Sequence, residues 1–250
     1  LPGRHFLINE QIDGRFPSHH PDPTIPENLA QLAELIKCHG LDVGFAFDGD
    51  ADRIGVMDKT GRIVWGDQLL AILARDILRQ HPGATIIGDV KSSQVVFDQI
   101  TTCGGEAVMW KTGHSPIKEK MRETGALLAG EMSGHIYFGH KFYGFDDAIY
   151  AALRLLNVLA RTQGGLAQLL DVLPKTVTTP EIRFFCLENR KFELVDEIKE
   201  RLQMTGHNVI DVDGIRVTGS GGWWLLRPSN TEAAVVVRCE ANTEFGLNSI

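Results

Sequence analysis

Apolar positions change their period several times along the chain, and each change marks an element. Leu29, Leu32, Ala33 and Ile36 recur at helical spacing over 27–38, and Gly40 is placed to end that helix. Residues 43–47 form an unbroken apolar run, the pattern of a strand covered on both faces. Two further apolar runs, 54–57 and 63–65, flank Asp58-Lys59-Thr60-Gly61 and predict a hairpin. From about residue 66 strand and helix alternate. Helix is expected over 67–80, strand over 85–90, helix over 93–101, strand over 107–110 and strand over 126–129. Ser115-Pro116 should open the helix between the last two strands, with a capping hydroxyl and a proline at the first helical position. A long helix over 147–162 closes this unit. Such alternation implies a layered α/β sheet with functional groups at strand ends.

A linker holding Pro174 and Pro180 follows. Strand 181–187, helix 190–204 and strands near 209–212, 214–218, 222–227 and 233–240 then predict an α+β unit with an antiparallel sheet. Val212-Asp213-Gly214 supplies its hairpin turn. Residues 1–26 are rich in Pro, His and Asp and lack a period, so they read as a loop entering a domain partway through. The expected boundaries are 1–63, 64–174 and 175–250.

Composition narrows the function class. A 250-residue chain that is 43% hydrophobic can bury sizeable cores. A net charge of -7 argues against a nucleic-acid surface and offers no attraction to membranes. No run approaches the roughly 18 apolar residues that span a bilayer, and Leu1-Pro2-Gly3-Arg4 does not read as a signal peptide. Cys38, Cys103, Cys186 and Cys239 are far apart and sit in apolar patterns, which predicts buried free thiols and a cytoplasmic protein.

The candidate chemistry starts where the 43–47 run stops. Asp48, Asp50 and Asp52 place carboxylates at every second position, and Arg53 follows at once. These carboxylates can converge only around a cation, and an all-oxygen set suits Mg²⁺. An acidic turn is the bland alternative. A calcium hand is excluded, because counting from Asp48 its required Gly and Glu positions hold Arg53 and Lys59. Ser18 beside His19 and His20 is a weak nucleophile pattern without a third orienting group, and it is rejected. Glu131, just past a buried strand, must be paired or hydrogen-bonded. It joins Ser133 and His135 as a polar set suited to hydroxyls, with His135 able to exchange protons. Arg227, Ser229, Asn230 and Thr231 end a strand as a potential phosphate cradle. Lys91 and His114 follow strands where a solvated lysine and a capping histidine are the ordinary expectations.

Asp48-Gly49-Asp50-Ala51-Asp52-Arg53 resembles the metal-binding loop of the α-D-phosphohexomutases. Gly130-Glu131-Met132-Ser133-Gly134-His135 resembles that family's sugar-binding loop, and Arg227-Pro228-Ser229-Asn230-Thr231-Glu232 its phosphate-binding loop. The methionine in the middle loop is most similar to the bacterial phosphomannomutase/phosphoglucomutase branch. The resemblance implies tandem layered α/β domains of the phosphohexomutase type, followed by a C-terminal α+β domain with an antiparallel sheet. Within it, 1–63 would be the C-terminal part of the metal-binding domain, 64–174 the sugar-binding domain and 175–250 a phosphate-binding domain cut short at its end.

It further implies transfer of phosphate between O6 and O1 of a hexose, through a phosphoserine and a hexose 1,6-bisphosphate that also serves as activator. One Mg²⁺ would sit on Asp48, Asp50 and Asp52. Arg53 and His135 would be catalytic. Lys91, His114, Glu131, Ser133, His135, Arg227, Ser229, Asn230 and Thr231 would bind the phosphosugar, and a monomer is favoured. The family's phosphorylated serine lies in an earlier Thr-Ala-Ser-His-Asn-Pro segment, which nothing here matches. The chain alone is therefore expected to be inactive. A Mg-dependent sugar phosphatase and a non-catalytic phosphosugar-binding module are the competing classes.

Overall fold

The computed structural model describes residues 3–219, 221–229 and 232–250. A 3-10 turn, Pro26–Leu29, feeds helix α1 (Ala30–His39), which Gly40 ends in the left-handed conformation at φ 59°. Strands β1 (Val43–Phe47), β2 (Ile54–Asp58) and β3 (Ile63–Val64) form an antiparallel sheet in that order. The expected full burial of β1 is corrected here. β1 is an edge strand in this sheet, Gly44 is its one buried residue, and Phe47 is 39% exposed. Gly44 allows α1 to lie close, since a Cβ there would stand 2.8 Å from Leu32 and Ile36. Residues 3–25, read as a loose entry, also contribute packing. Pro23 covers Gly55, and the Phe16 ring lies against Gly49.

The second unit is built on α2 (Gly66–Gln80), whose buried residues include Leu69, Leu70, Leu73 and Ile77. Strand β4 (Thr85–Asp89), helix α3 (Gln94–Thr102), strand β5 (Glu106–Trp110), helix α4 (His114–Thr124) and strand β6 (Leu128–Gly130) follow. Strand β7 (Ile136–Phe138), helix α5 (Ala148–Leu159) and helix α6 (Gly165–Asp171) complete it. The sheet order is β5-β4-β6-β7, with β4 parallel to β5 and β6, and β7 antiparallel to β6. Ser93 caps α3 as its hydroxyl accepts from the Val95 N–H. The expected Ser115 cap is absent. α4 starts at His114 from Gly113, whose φ of 120° sets the turn, and Pro116 is its third residue. Ile54, Val56 and Val64 from the first sheet share a single apolar core with α2, α5 and β6. At roughly 1.5–3 kcal/mol per buried large aliphatic side chain, that shared core fixes the first sheet against the second unit.

The last unit holds β8 (Val177–Thr178), β9 (Ile182–Phe185), α7 (Lys191–Met204), β10 (Val209–Ile210), β11 (Ile215–Thr218), β12 (Gly222–Pro228), β13 (Ala234–Ala241) and α8 (Glu244–Leu247). Its antiparallel sheet runs β10-β11-β12-β13-β8, and β9 also pairs with β13. One face packs on α7 through Val195, Ile215, Val217, Leu226 and Val235. The other face meets the second unit, where Trp223 and Leu225 pack on Val90 and Met109. Arg216 lies fully buried in this joint. It donates to the carbonyls of Val90 at 2.6 Å and Ser92 at 2.8 Å, and its guanidinium stands 3.7 Å from the Trp223 ring centroid. Burial lowers its pKa to about 10, which still leaves it charged at neutral pH. The predicted burial of the thiols is corrected too: Cys38 is exposed on α1, and Cys103, Cys186 and Cys239 are half-buried. An apolar neighbourhood in sequence did not identify which side of each element faced inward.

Candidate active site

β1 must reverse into β2, and the turn between them does so with Ala51 in the left-handed region at φ 59°. That turn gathers Asp48, Asp50 and Asp52, with one oxygen from each within 4.8 Å of the others. Arg53 closes the loop, its N–H donating to Asp48 Oδ1 at 3.0 Å and its Nε to Oδ2 at 2.7 Å. Its Nη1 reaches Asp22 at 3.3 Å. Burial would raise the Asp48 carboxyl, but the Arg53 donors outweigh it and hold it below the usual range. Asp52 moves the other way. Burial, the bond shared with Asp48 and repulsion from Asp48 and Asp50 raise it against the pull of His135. Carboxylates this crowded, with oxygen as the only donor, fit a hard divalent cation.

The second loop is stitched to the first. Arg53 and His135 form an antiparallel bridge, and the Ile54 N–H donates to the Gly134 carbonyl at 3.1 Å. Only glycine fits at 134, because φ is 97° and a Cβ would stand 2.6 Å from the Ile54 oxygen. The turn is closed by Glu131 N–H to His135 O at 2.9 Å and Gly134 N–H to Glu131 O at 3.0 Å. The Glu131 side chain is buried and accepts from Gly113 N–H at 2.8 Å and Tyr137 Oη at 2.6 Å. His135 Nδ1 lies 3.2 Å from it and 2.9 Å from Ser133 Oγ, while Nε2 faces Asp52 at 3.4 Å.

Burial alone would raise Glu131, yet its bonds from His135 and Tyr137 hold it below its ordinary value. Burial likewise opposes the charge on His135, but Glu131, Asp52 and Asp146 raise its pKa. The acidic neighbours thus make the ring easier to protonate than a free imidazole. Behind the Glu131 turn Asp89, fully buried, accepts from Ser92 Oγ at 2.5 Å and Met132 N–H at 3.2 Å. Burial raises the Asp89 carboxyl.

The third loop leaves β12. Arg227 is 7% exposed and its Nη2 lies 3.1 Å from Asp213 Oδ2. Its Nε is buried with no hydrogen-bond partner among the described residues, an orphan donor of the kind a bound anion satisfies. Ser229 Oγ accepts from the Glu232 N–H at 3.2 Å, and buried Lys191 holds the Ser229 carbonyl at 2.6 Å. Asn230 and Thr231 lie outside the described residues.

The structure therefore brings Asp48, Asp50, Asp52, Arg53, Glu131, Ser133 and His135 into one connected cluster. Arg227 joins it through Asp213, whose Oδ2 also accepts from the Thr112 N–H at 3.1 Å. Lys91 pairs instead with Glu181 at 3.2 Å, and the exposed His114 ring meets Ser115 Oγ at 3.5 Å. Asp89, Tyr137, Asp146 and Asp213 were missed by sequence reasoning. Asp89 and Tyr137 look like ordinary strand residues, and Asp213 passes as turn chemistry. A cavity of about 590 Å³ between α4 and 139–145, lined by Phe142, Tyr143 and Phe145 among others, contains none of the predicted site residues.

Models of phosphoglucomutase/phosphomannomutase domain II, domain III and the C-terminal domain match residues 4–61, 65–177 and 181–249. The chain belongs to the phosphoglucomutase/phosphomannomutase family. It is 47% identical over 240 residues to phosphomannomutase/phosphoglucomutase of Pseudomonas aeruginosa, covering 96% of this chain and 52% of that protein. It is 43% identical over 242 residues to phosphoglucomutase of Neisseria gonorrhoeae, with the same coverage of both. The crystal structure of a phosphoglucomutase/phosphomannomutase family protein from Burkholderia thailandensis superposes with a TM-score of 0.89 at 45% identity, covering 96% of this chain and 51% of that one. The chain thus spans about half the length of the curated relatives it matches. Among the described residues no helix is long and apolar enough to cross a membrane.

Proposed function

We propose that this chain supplies the metal, sugar and phosphate loops of a phosphohexomutase that interconverts hexose 6-phosphate and hexose 1-phosphate. The observation that carries the reading is the stitching of the acidic loop to the Glu131 turn by the Arg53–His135 bridge, because it sets a cation site beside groups suited to a sugar. Asp48, Asp50 and Asp52 would hold Mg²⁺, which when bound neutralises charge on phosphoryl oxygens. Arg53 orients Asp48. Ser133 and His135 present a hydroxyl and an imidazole ring to the sugar, and His135 Nε2 can take the proton that an attacking hydroxyl gives up and return it, as imidazolium, to a leaving oxygen. Glu131 already serves three protein donors, so about one of its four acceptor positions remains for a sugar hydroxyl. Arg227 and Ser229, with Asn230 and Thr231, grip the phosphate that is not reacting, while Lys91 and His114 contribute as the ligand closes on them.

A phosphoserine donating its phosphoryl group to the sugar, a hexose 1,6-bisphosphate as intermediate and activator, and a monomeric cytoplasmic protein complete the reading. The four free thiols support a reducing compartment. Mannose 1-phosphate or glucose 1-phosphate, supplied with the bisphosphate to the full-length protein that carries this chain, should be converted to its 6-phosphate. Asp50→Asn should abolish this conversion. Full turnover by Asp50→Asn would place the metal elsewhere.

A further inference from the structure

A carboxylate stands where the phosphate-gripping arginine meets the sugar domain, and no catalytic step above uses it. Asp213 lies in the turn between β10 and β11. Glycine follows it because nothing larger fits: φ at Gly214 is 82°, and a Cβ there would stand 2.4 Å from the Leu226 oxygen and 2.6 Å from Arg227 Cβ. The turn is therefore pressed against the backbone of Arg227. From there Asp213 Oδ2 reaches Arg227 Nη2 at 3.1 Å and the Thr112 N–H, also at 3.1 Å, and Oδ1 lies 3.3 Å from the same Nη2.

Thr112 belongs to the segment between β5 and α4 in the second unit. The next N–H, at Gly113, is the one that donates to Glu131 Oε1 at 2.8 Å. A continuous path thus runs from Arg227 through Asp213 to Thr112, along one peptide bond to Gly113, and on to Glu131, His135 and Asp52. Asp213 occupies one Nη of Arg227 and leaves the buried Nε without a partner among the described residues.

We infer that Asp213 is a positioning residue that sets Arg227 at a fixed distance from the Glu131 turn, so that the site selects phosphates carrying a hexose over free phosphate. This inference rests on the reading of Arg227 as the phosphate grip. A ligand that spans both loops needs them in register. Inorganic phosphate needs only the guanidinium, and for it the Asp213 charge is a competitor. The two ligands must therefore respond differently to loss of Asp213, which a merely structural role does not predict.

The test uses the 250-residue chain and its Asp213→Ala and Asp213→Asn variants, titrated with glucose 6-phosphate and with inorganic phosphate. Hydrogen exchange is followed at the Thr112 amide. In Asp213→Ala, glucose 6-phosphate should bind about tenfold or more weakly, since displacing a positioned contact by an ångström is costly. Inorganic phosphate should bind as before or more tightly. The Thr112 amide should exchange at least about tenfold faster as its acceptor is lost. Asp213→Asn, which keeps an oxygen for Thr112, should retain the protection and most of the preference for the sugar phosphate.

Equal weakening of both ligands in Asp213→Ala, or an unchanged ratio, overturns this inference and leaves the function reading intact. A wild-type chain with no preference for glucose 6-phosphate over inorganic phosphate overturns both together.

Discussion

Two acidic turns stand side by side in this protein and solve opposite problems. In the 131–135 turn, the Glu131 charge is spent internally on the Gly113 N–H, the Tyr137 hydroxyl and the His135 ring. In the 48–53 loop, Arg53 satisfies Asp48, but Asp52 is pushed up by burial and its acidic neighbours, and Asp50 is exposed. The first turn is finished without a ligand, whereas the second, on the proposed reading, would be completed by a cation. The difference teaches that one turn can be rigid through its own hydrogen bonds while its neighbour is left open to tuning by an ion, which the proposed function places at the phosphoryl end.

The largest effect should come from breaking the finished turn. Glu131→Ala strands the Tyr137 hydroxyl, the Gly113 N–H and the His135 ring in a buried place, and should cost about 3–5 kcal/mol of stability. Urea unfolding of the chain measures it, and a loss under about 1 kcal/mol would mean that Glu131 is not the anchor of the turn. Arg227→Ala should act on ligand rather than fold. Its lost phosphate contact is worth about 1.5–3 kcal/mol, seen as a raised KM for mannose and glucose phosphates alike in the full-length protein. A changed mannose-to-glucose ratio would reverse the roles assigned to the two loops.

Completing the open loop is the next step down. At ten times its dissociation constant Mg²⁺ should add about 1.4 kcal/mol of stability, with Asp50→Asn losing that gain in a thermal melt. Equal stabilisation of both proteins would show that the ion binds outside the triad.

The smallest effect concerns acid. Burial would raise the Asp58 carboxyl, but Thr60 and Arg62 donors hold it below its usual value. Its folded-state pKa lies below the unfolded one, so its contribution is complete above about pH 4 and fades as pH falls through the depressed value. Asp58→Asn should flatten the acid limb of a stability-versus-pH curve by this amount, and an unchanged limb would assign the acid sensitivity to other carboxylates.

Much of this was legible from residue order. Alternating period located the β4-α3-β5-α4-β6 core, and the breaks at Gly40 and at Val212-Asp213-Gly214 marked real turns. Asp48, Glu131 and Arg227 stood out because charge at the end of an apolar run demands a partner. What stayed hidden depended on distance in space. β1 reads as fully buried, yet its place at a sheet edge decides its exposure. Tyr137 and Asp89 carry no local mark of the bonds they make to the Glu131 turn. Asp213 reads as hairpin chemistry, and only its contact with Thr112, 101 residues away, reveals a link between loops.

The central claim is that one phosphosugar touches the Glu131 turn and the Arg227 loop together. An amide chemical-shift titration of the isotopically labelled chain with glucose 1-phosphate tests it most directly. Concerted shifts are expected at Gly113, Glu131 to His135 and Ser229, all saturating with one dissociation constant. Shifts confined instead to Leu127 and Phe142 to Phe145, around the aromatic cavity, would contradict it.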